Sequence, residues 1–137
     1  MFKAVLSLGS NKGNRAFYMN EAALMIESQC GTIIRKSPVI ETKSWGYDSH
    51  DYLNQVLEIQ TELEPLELLK VTKNIEFQLG RSPESKTPYG TQDYQDRTMD
   101  IDILYFDQIQ MNTEELTLPH PRIQERQFIL YLLDSLK

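Results

Sequence analysis

The sequence is poor in the features that mark secreted, membrane-spanning or nucleic-acid-binding proteins. Its 137 residues include one cysteine, Cys30, so no disulfide can form within the chain, and a reducing compartment, the cytoplasm, is expected. No apolar stretch approaches the roughly 20 residues of a membrane span, and too few apolar residues precede Asn11 for a secretory signal. The 14 lysines and arginines face 20 aspartates and glutamates, and this net charge of −6 argues against a broad DNA- or RNA-binding face.

Two common nucleotide-binding motifs are also missing. The early segment GSNKGN, residues 9–14, has neither the phosphate-loop spacing G-x-x-x-x-G-K-[ST] nor the dinucleotide spacing G-x-G-x-x-G, so it is interpreted as a turn and helix cap. The remaining composition, 40% apolar and 25% charged, is ordinary for a globular protein, and the length predicts a single domain over 1–137. A local arginine cluster could still bind a small anionic ligand.

Hydrophobic periodicity predicts the element order β-α-β-β-α-β, with additions after it. Strands are predicted at 2–8, 32–42, 52–61, 98–106 and 109–111, and helices at 15–30, 65–79 and 123–136. Pro38 indicates an edge position or a bulge within the second strand. The loop at 81–97 is long for a compact domain, and such loops often carry function. This order favours an α+β sandwich, in which helices pack on an antiparallel sheet.

Two aspartates interrupt a stretch that otherwise has the pattern of a buried strand, RTMDIDILYF at 97–106. Residues two apart on a strand share a face, so the oxygens of Asp100 and Asp102 can converge on one cation. Mg²⁺ prefers one or two carboxylates together with phosphate and water oxygens. Two acids on a solvated strand face explain the spacing equally well. The alternation predicts one face with Asp100, Asp102, Leu104 and Phe106, and an apolar core face with Met99, Ile101, Ile103 and Tyr105.

Basic side chains flank turns before and after this strand: Arg81, Arg97, His120, Arg122 and Arg126. Each arginine alone is most simply a surface residue. Acids and arginines together, however, are what a Mg²⁺–triphosphate requires. His120 lies between two prolines, where it either caps a turn or contacts a phosphate or leaving group.

An aromatic ring and a carboxamide share one face of the predicted strand 52–61. Tyr52 and Asn54 lie on this face with Val56 and Glu58, and Trp45 lies in the loop before it. A ring that stacks and an amide that donates and accepts hydrogen bonds suit a flat heterocycle. A tyrosine on a half-buried strand is the commoner explanation of such a position. The opposite face carries Leu53, Leu57 and Ile59 and is predicted to be core.

Six segments together form a specific combination, although no single one of them is specific. They are LSLGSNKGNR (6–15), SPVIET (37–42), YLNQVLEI (52–59), IEFQLGR (75–81), DRTMDIDIL (96–104) and LTLPHPRIQERQFIL (116–130). In this order they resemble the hydroxymethyl-dihydropterin pyrophosphokinase family of folate biosynthesis. The resemblance implies a ferredoxin-like sandwich, monomeric or a simple homodimer. It also implies transfer of pyrophosphate from ATP to the hydroxymethyl group of 6-hydroxymethyl-7,8-dihydropterin, with release of AMP.

The resemblance also implies roles for individual residues. Two Mg²⁺ ions would bridge Asp100 and Asp102 to the ATP phosphates, with Arg81 and Arg97 as further catalytic residues. The ATP site would comprise Leu69, Lys73, Glu76, Arg81, Arg97, Ile103, Thr117, His120 and Arg126. The pterin pocket would comprise Thr42, Trp45, Tyr52, Asn54 and Phe128, with the rings of Tyr52 and Phe128 stacking on the pterin.

The sequence departs from the family chiefly in the loop 82–96. Pro83 stands where a second arginine is often found, and Tyr89 or Tyr94 takes the place of a tryptophan. Lys73 stands where many members have a glutamine. Whether this loop closes over the nucleotide is left open, and no general base is identified. Two other functions also stay open: a nucleotide-binding module without catalysis, and a Mg²⁺-dependent phosphohydrolase.

Overall fold

The computed structural model describes residues 1–43, 51–80 and 98–136. Its elements are β1 (Phe2–Ser10), α1 (Arg15–Gln29), β2 (Thr32–Lys36), β3 (Ile40–Thr42), β4 (Tyr52–Thr61), α2 (Pro65–Gln78), β5 (Asp100–Phe106), β6 (Met111–Asn112), β7 (Thr117–Leu118), a 3₁₀ turn (Ile123–Glu125) and α3 (Gln127–Ser135). Within these ranges, no helix combines the length and apolar character that crossing a bilayer requires.

The main sheet is antiparallel throughout, in the strand order β2-β4-β1-β5, with β3 also paired to β4. Helices α1 and α2 cover one face of the sheet, where the larger hydrophobic core lies. Helix α3 and the 3₁₀ turn cover part of the other face and enclose a smaller core. The short strands β6 and β7 form a separate pair. With β2 and β3 counted together, the order is β-α-β-β-α-β, and this sandwich confirms the predicted ferredoxin-like α+β fold.

Local sequence explains where the helices begin and end. The side chain of Asn14 caps α1 by accepting a hydrogen bond from the Phe17 amide at 3.1 Å, as the turn-and-cap interpretation expected. Helix α1 ends before Gly31, where an added Cβ would overlap the carbonyl oxygen of Gln60 on β4. Burial raises the pKa of the neighbouring Cys30 thiol to about 12, so this cysteine is a protonated core side chain.

Strand β4 confirms the faces predicted for it. Leu57 and Ile59 belong to the core under α1 and α2. Val56, on the opposite face, belongs to the core under α3. One strand thus serves two cores at once, because the sheet is covered on both sides.

The prediction of one continuous strand over 32–42 is wrong. The chain forms β2 and β3 instead, with a break around Pro38, whose nitrogen carries no hydrogen to donate. Ser37 holds this break against β4. Its amide donates to the Val56 carbonyl at 2.9 Å, and its hydroxyl accepts from the Val56 amide at 2.8 Å.

The predicted faces of β5 are correct up to Leu104 and wrong for the last two residues, Tyr105 and Phe106. Val5 on β1 pairs with Tyr105, whereas the next residue, Leu6, pairs with Ile103, so Leu104 is an extra residue in a β-bulge. The bulge exchanges the faces beyond it. Phe106 therefore lies in the core under α1 and α2, and Tyr105 packs on the α3 side.

The C-terminal elements also differ from the prediction. The helix expected over 123–136 divides into the 3₁₀ turn and α3, because Arg126 between them has an extended backbone with φ −116° and ψ 99°. The short strand expected at 109–111 lies at β6, and its partner β7 was not predicted. Strands of two residues carry no periodicity from which to predict them.

Candidate active site

A cleft of about 930 Å³ opens at one end of the main sheet. Its walls come from β1, β3, β4, β5, α2 and the segment 114–128. The volume lies within the roughly 300–1,000 Å³ of ligand pockets that hold small molecules. Elements far apart in sequence therefore meet here.

The aspartate pair, Asp100 and Asp102, lines this cleft from the beginning of β5. Asp100 pairs with Gly9 of β1 and Asp102 pairs with Ser7, so the neighbouring side chains are absent or small. Both aspartates are half-buried. The two carboxylates share one face, as the strand spacing predicted, and that face is a cleft wall rather than an open solvated surface.

A buried carboxylate on α2 holds the backbone between the two aspartates. The Ile101 amide donates to Glu76 Oε2 at 2.7 Å, and Glu76 is only 5% exposed. A buried carboxylate is costly unless it accepts hydrogen bonds, and this amide supplies one. Glu76 lines the cleft and accepts from the backbone of the aspartate strand, and its place in an ATP site stays a prediction.

No ready-made metal cage exists within 1–43, 51–80 and 98–136. There, no three histidine, cysteine, aspartate or glutamate side chains are grouped so that they could hold an ion. A cation at the aspartate pair would therefore take its other ligands from phosphate and water. That coordination is typical of Mg²⁺ in phosphoryl-transfer sites.

His120 is held by the backbone and faces the aspartate pair. Its amide donates to the Leu104 carbonyl at 2.9 Å, and its Nδ1 accepts from the Arg122 amide at 3.2 Å. Since Nδ1 is an acceptor, the proton of the neutral ring is assigned to Nε2, which lies 3.9 Å from Asp102 Oδ1. The histidine thus caps a turn, as the first interpretation expected, and it also lines the cleft, where a contact to a phosphate stays a prediction.

The surroundings of His120 favour its neutral form. Burial lowers the pKa of the imidazole below its usual value, and the charges of Arg126 and Arg122 lower it further, while Asp100 opposes them. A neutral ring at pH 7 presents an Nε2–H donor to an anion without adding a full charge.

Thr42, Tyr52 and Asn54 lie together in the same cleft, which Phe128 also lines, and we call these four side chains the aromatic–amide pocket. Asn54 is 5% exposed, and its Nδ2 donates to Thr42 Oγ1 at 2.6 Å, which fixes the orientation of the amide. Gly9 lies beneath them, where a Cβ would come within 3.3 Å of Asn54 Oδ1 and 3.4 Å of Tyr52 Cδ1. The glycine therefore makes room for the ring and the amide to pack over β1.

The family model of 7,8-dihydro-6-hydroxymethylpterin-pyrophosphokinase (HPPK) matches residues 5–137. The chain belongs to the HPPK family. A 2-amino-4-hydroxy-6-hydroxymethyldihydropteridine pyrophosphokinase of Bacillus subtilis is 41% identical over 129 residues, covering 93% of this chain and 73% of the relative. A protein of the same name from Porphyromonas gingivalis is 38% identical over 126 residues, covering 90% and 83%.

Solved structures of HPPK-DHPS proteins share the fold. Wild-type Plasmodium falciparum HPPK-DHPS with pteroate matches with a TM-score of 0.75 at 18% identity. The match covers 98% of this chain and 38% of the Plasmodium chain, so the present chain spans well under half of that protein. At this identity the similarity concerns the fold alone.

The HPPK fold brings together every predicted site residue that the structure describes. The cleft is lined by Thr42, Tyr52, Asn54, Leu69, Lys73, Glu76, Asp100, Asp102, Ile103, Thr117, His120, Arg126 and Phe128. Three further predicted residues, Trp45, Arg81 and Arg97, lie outside the described residues, as does the loop 82–96. The individual roles of all these residues stay predictions.

Sequence reasoning missed several residues of the cleft wall. Ser7 and Gly9 lie opposite the aspartates, and Lys43 lies next to the aromatic–amide pocket. Arg122 was among the candidate cations but not in the predicted ATP site, and it too lines the cleft. Ser7 and Gly9 could have been found only from the pairing of β1 with β5. The periodicity of a sequence does not show which strands pair.

Proposed function

We propose that the chain transfers the pyrophosphoryl group of ATP to 6-hydroxymethyl-7,8-dihydropterin in folate biosynthesis, giving the pterin diphosphate and AMP. One observation carries this proposal for an HPPK-family chain. The aspartate pair, cationic side chains and the aromatic–amide pocket open into a single cleft. A Mg²⁺–triphosphate and a flat heterocycle can therefore meet there, which is the arrangement that transfer between them requires.

The aromatic–amide pocket suits the pterin. Tyr52 and Phe128 provide rings for stacking, and Asn54 provides hydrogen bonds to the edge of the heterocycle. The hydrogen bond from Asn54 to Thr42 sets the amide before the substrate arrives. Such preorganisation reduces the entropic cost of binding.

The opposite part of the cleft suits the triphosphate. We expect two Mg²⁺ ions at Asp100 and Asp102, where they would offset phosphate charge during transfer. The Nε2–H of neutral His120 points toward the same region and can donate to a phosphate oxygen. Arg126 and Lys73 line the cleft and add positive charge. The predicted contributions of Arg81 and Arg97 belong to the same part of the reaction.

The reaction balances as a single displacement. The hydroxymethyl oxygen of the pterin forms a bond to the β-phosphorus of ATP, while the bond from that phosphorus to the α-phosphate oxygen breaks. AMP leaves, and the hydroxyl proton is released. The protein residues contribute orientation and charge stabilisation rather than covalent chemistry.

We further expect one domain over 1–137, working in the cytoplasm as a monomer or simple homodimer. The proposed partners are these two small molecules, with no nucleic acid and no membrane. The net charge of −6 and the buried, protonated Cys30 support this part of the proposal.

The first experiment follows the nucleotide product. Purified protein is mixed with ATP, MgCl₂ and 6-hydroxymethyl-7,8-dihydropterin, and AMP, ADP and phosphate are separated by chromatography. We expect AMP that depends on the pterin. Asp100→Ala and Asp102→Ala should each lower its rate by about 100-fold or more, because charge stabilisation at the phosphates is lost.

The matched control is Glu62→Ala, which removes an exposed acid in the turn before α2. Thermal unfolding of each variant checks that the fold is intact. ADP or phosphate formed without pterin would favour the phosphohydrolase. Mg²⁺-dependent ATP binding without any product would favour a non-catalytic module.

A further inference from the structure

One arginine outside the cleft ties together three segments near the aromatic–amide pocket. Arg15 is the first residue of α1, directly after the cap formed by Asn14. Its Nη1 donates to Glu41 Oε2 of β3 at 2.7 Å and to the backbone carbonyl of Asp51 at 2.7 Å. Asp51 directly precedes β4. A single guanidinium therefore holds the end of β3, the beginning of β4 and the beginning of α1.

Both partners of Arg15 are chain neighbours of pocket residues. Glu41 directly precedes Thr42, which accepts the Asn54 amide hydrogen bond. Asp51 directly precedes Tyr52, and Thr42 and Tyr52 are register partners across β3 and β4. A shift of either strand end would therefore move the ring and the hydroxyl that orient the pocket.

This arginine lies beside the cleft without forming its wall. Arg15, Glu41 and Asp51 line a separate small cavity with Asn11 and Gly13, whereas Thr42 and Tyr52 line the cleft. The side chains of Arg15 and Glu41 are 31% and 53% exposed. Ion pairs this exposed contribute little to global stability, so the effect of Arg15 should be local.

We propose that Arg15 is a positioning residue for the aromatic–amide pocket and thereby sets the affinity for the pterin. Its two hydrogen bonds fix the ends of β3 and β4, and Thr42, Tyr52 and Asn54 take their positions from these ends. The inference rests on the proposed function, because the pterin is the ligand whose binding reports the position of the pocket.

The test compares Arg15→Met and Arg15→Lys with the wild type. KM for the pterin is measured at saturating ATP, and KM for ATP at saturating pterin. We expect Arg15→Met to raise KM for the pterin by about tenfold, the equivalent of one charge-assisted hydrogen bond. KM for ATP and kcat should change by less than about twofold, since the phosphate side does not depend on these strand ends. Arg15→Lys should restore part of the loss, because an ammonium keeps the charge and the donors.

Two further variants make the test specific. Glu41→Gln weakens the same ion pair by removing the charge of the acceptor. In combination with Arg15→Met, its effect on KM for the pterin should be less than additive. Arg35→Met is the control, since Arg35 pairs with Glu58 at 3.7 Å and donates to the Leu136 carbonyl at 3.2 Å but does not line the cleft. We expect it to leave KM for the pterin unchanged.

Three results would overturn the proposal. In the first, Arg15→Met and Glu41→Gln leave KM for the pterin unchanged while the wild type turns over. In the second, both KM values rise equally together with a fall in the melting temperature, which would indicate a merely structural role. If Arg15→Met does not fold, the KM for the pterin of the Glu41→Gln variant alone decides whether the proposal stands. In the third result, the wild type binds no pterin, which would overturn the proposed function and this inference together.

Discussion

Glu76 is a buried carboxylate that holds the backbone of the strand carrying the aspartate pair. It accepts the Ile101 amide, which lies between the two aspartates of β5. Strand β5 is at the edge of the main sheet, with β1 as its neighbour in the strand order. An edge strand leaves backbone groups on its outer side that need other partners, and Glu76 provides one at the position that matters most for the aspartates.

Removing this acceptor should weaken the fold locally. Glu76→Ala leaves the Ile101 amide unsatisfied in the interior, and we expect a loss of about 1–3 kcal/mol in the free energy of unfolding. Glu76→Gln keeps an acceptor oxygen and should lose less. Urea denaturation measures both variants. Equal losses for the two would contradict this role, since only alanine removes the hydrogen bond.

His120 should make stability depend on pH in a definite direction. Its pKa is lowered in the folded protein, so the unfolded chain binds the proton more readily. Stability is therefore complete above about pH 6.5, the ordinary value, and falls as the pH drops from there toward the folded pKa. His120→Gln should lack this contribution.

The comparison uses urea denaturation at pH 7.5 and pH 5.5. Wild type should lose more stability between these values than His120→Gln does, while carboxylates that do not interact with His120 contribute equally to both proteins. Gln29→Ala, an exposed substitution without a titratable group, provides the control and should show the pH dependence of the wild type. Equal pH dependence in wild type and His120→Gln would show that the imidazole is not neutralised by folding.

At the scale of elements, long alternation was predictable and local irregularity was not. In the ten-residue strand β4, Leu57 and Ile59 alternate with Val56 and Glu58, and the faces predicted for Leu57, Ile59 and Val56 were correct. Strand β5 has the same kind of pattern, yet Tyr105 and Phe106 were assigned to the wrong faces. The bulge at Leu104 depends on how β5 pairs with Val5 and Leu6, and the sequence of β5 alone does not contain that register.

The junction between α1 and β2 provides a stability prediction at this scale. Gly31→Ala would place a Cβ on the carbonyl oxygen of Gln60 and about 3.0 Å from the Cα of Thr61. Backbone atoms cannot yield as a flexible side chain would, so we expect a loss of about 1–3 kcal/mol or more. Denaturant unfolding measures it, with the exposed Gln29→Ala at the end of α1 as control. A loss no larger than that of the control would show that the backbone at this junction can shift to make room for a methyl group.

At the scale of the whole molecule, the site is a product of topology. The D-x-D spacing and the Tyr-x-Asn spacing were visible in the sequence, and each had a common alternative explanation. Their convergence was expected only through the family resemblance, because no local pattern says that β1 lies between β4 and β5. Ser7 and Gly9 were missed for a related reason. They contribute to the cleft by being small, which no motif marks.

Because β1 lies between β4 and β5, the cleft can form only after β5 has been synthesised. β1 is the first strand in the chain, and its partner β5 begins only at Asp100. During synthesis the earlier elements can fold against one another, while one edge of β1 stays unpaired until β5 has been made. Pairing across so many residues is slow compared with local contacts. We therefore expect Asp100 and Asp102 to join the sheet after the earlier strands have paired, so that a nascent chain without β5 lacks the cleft.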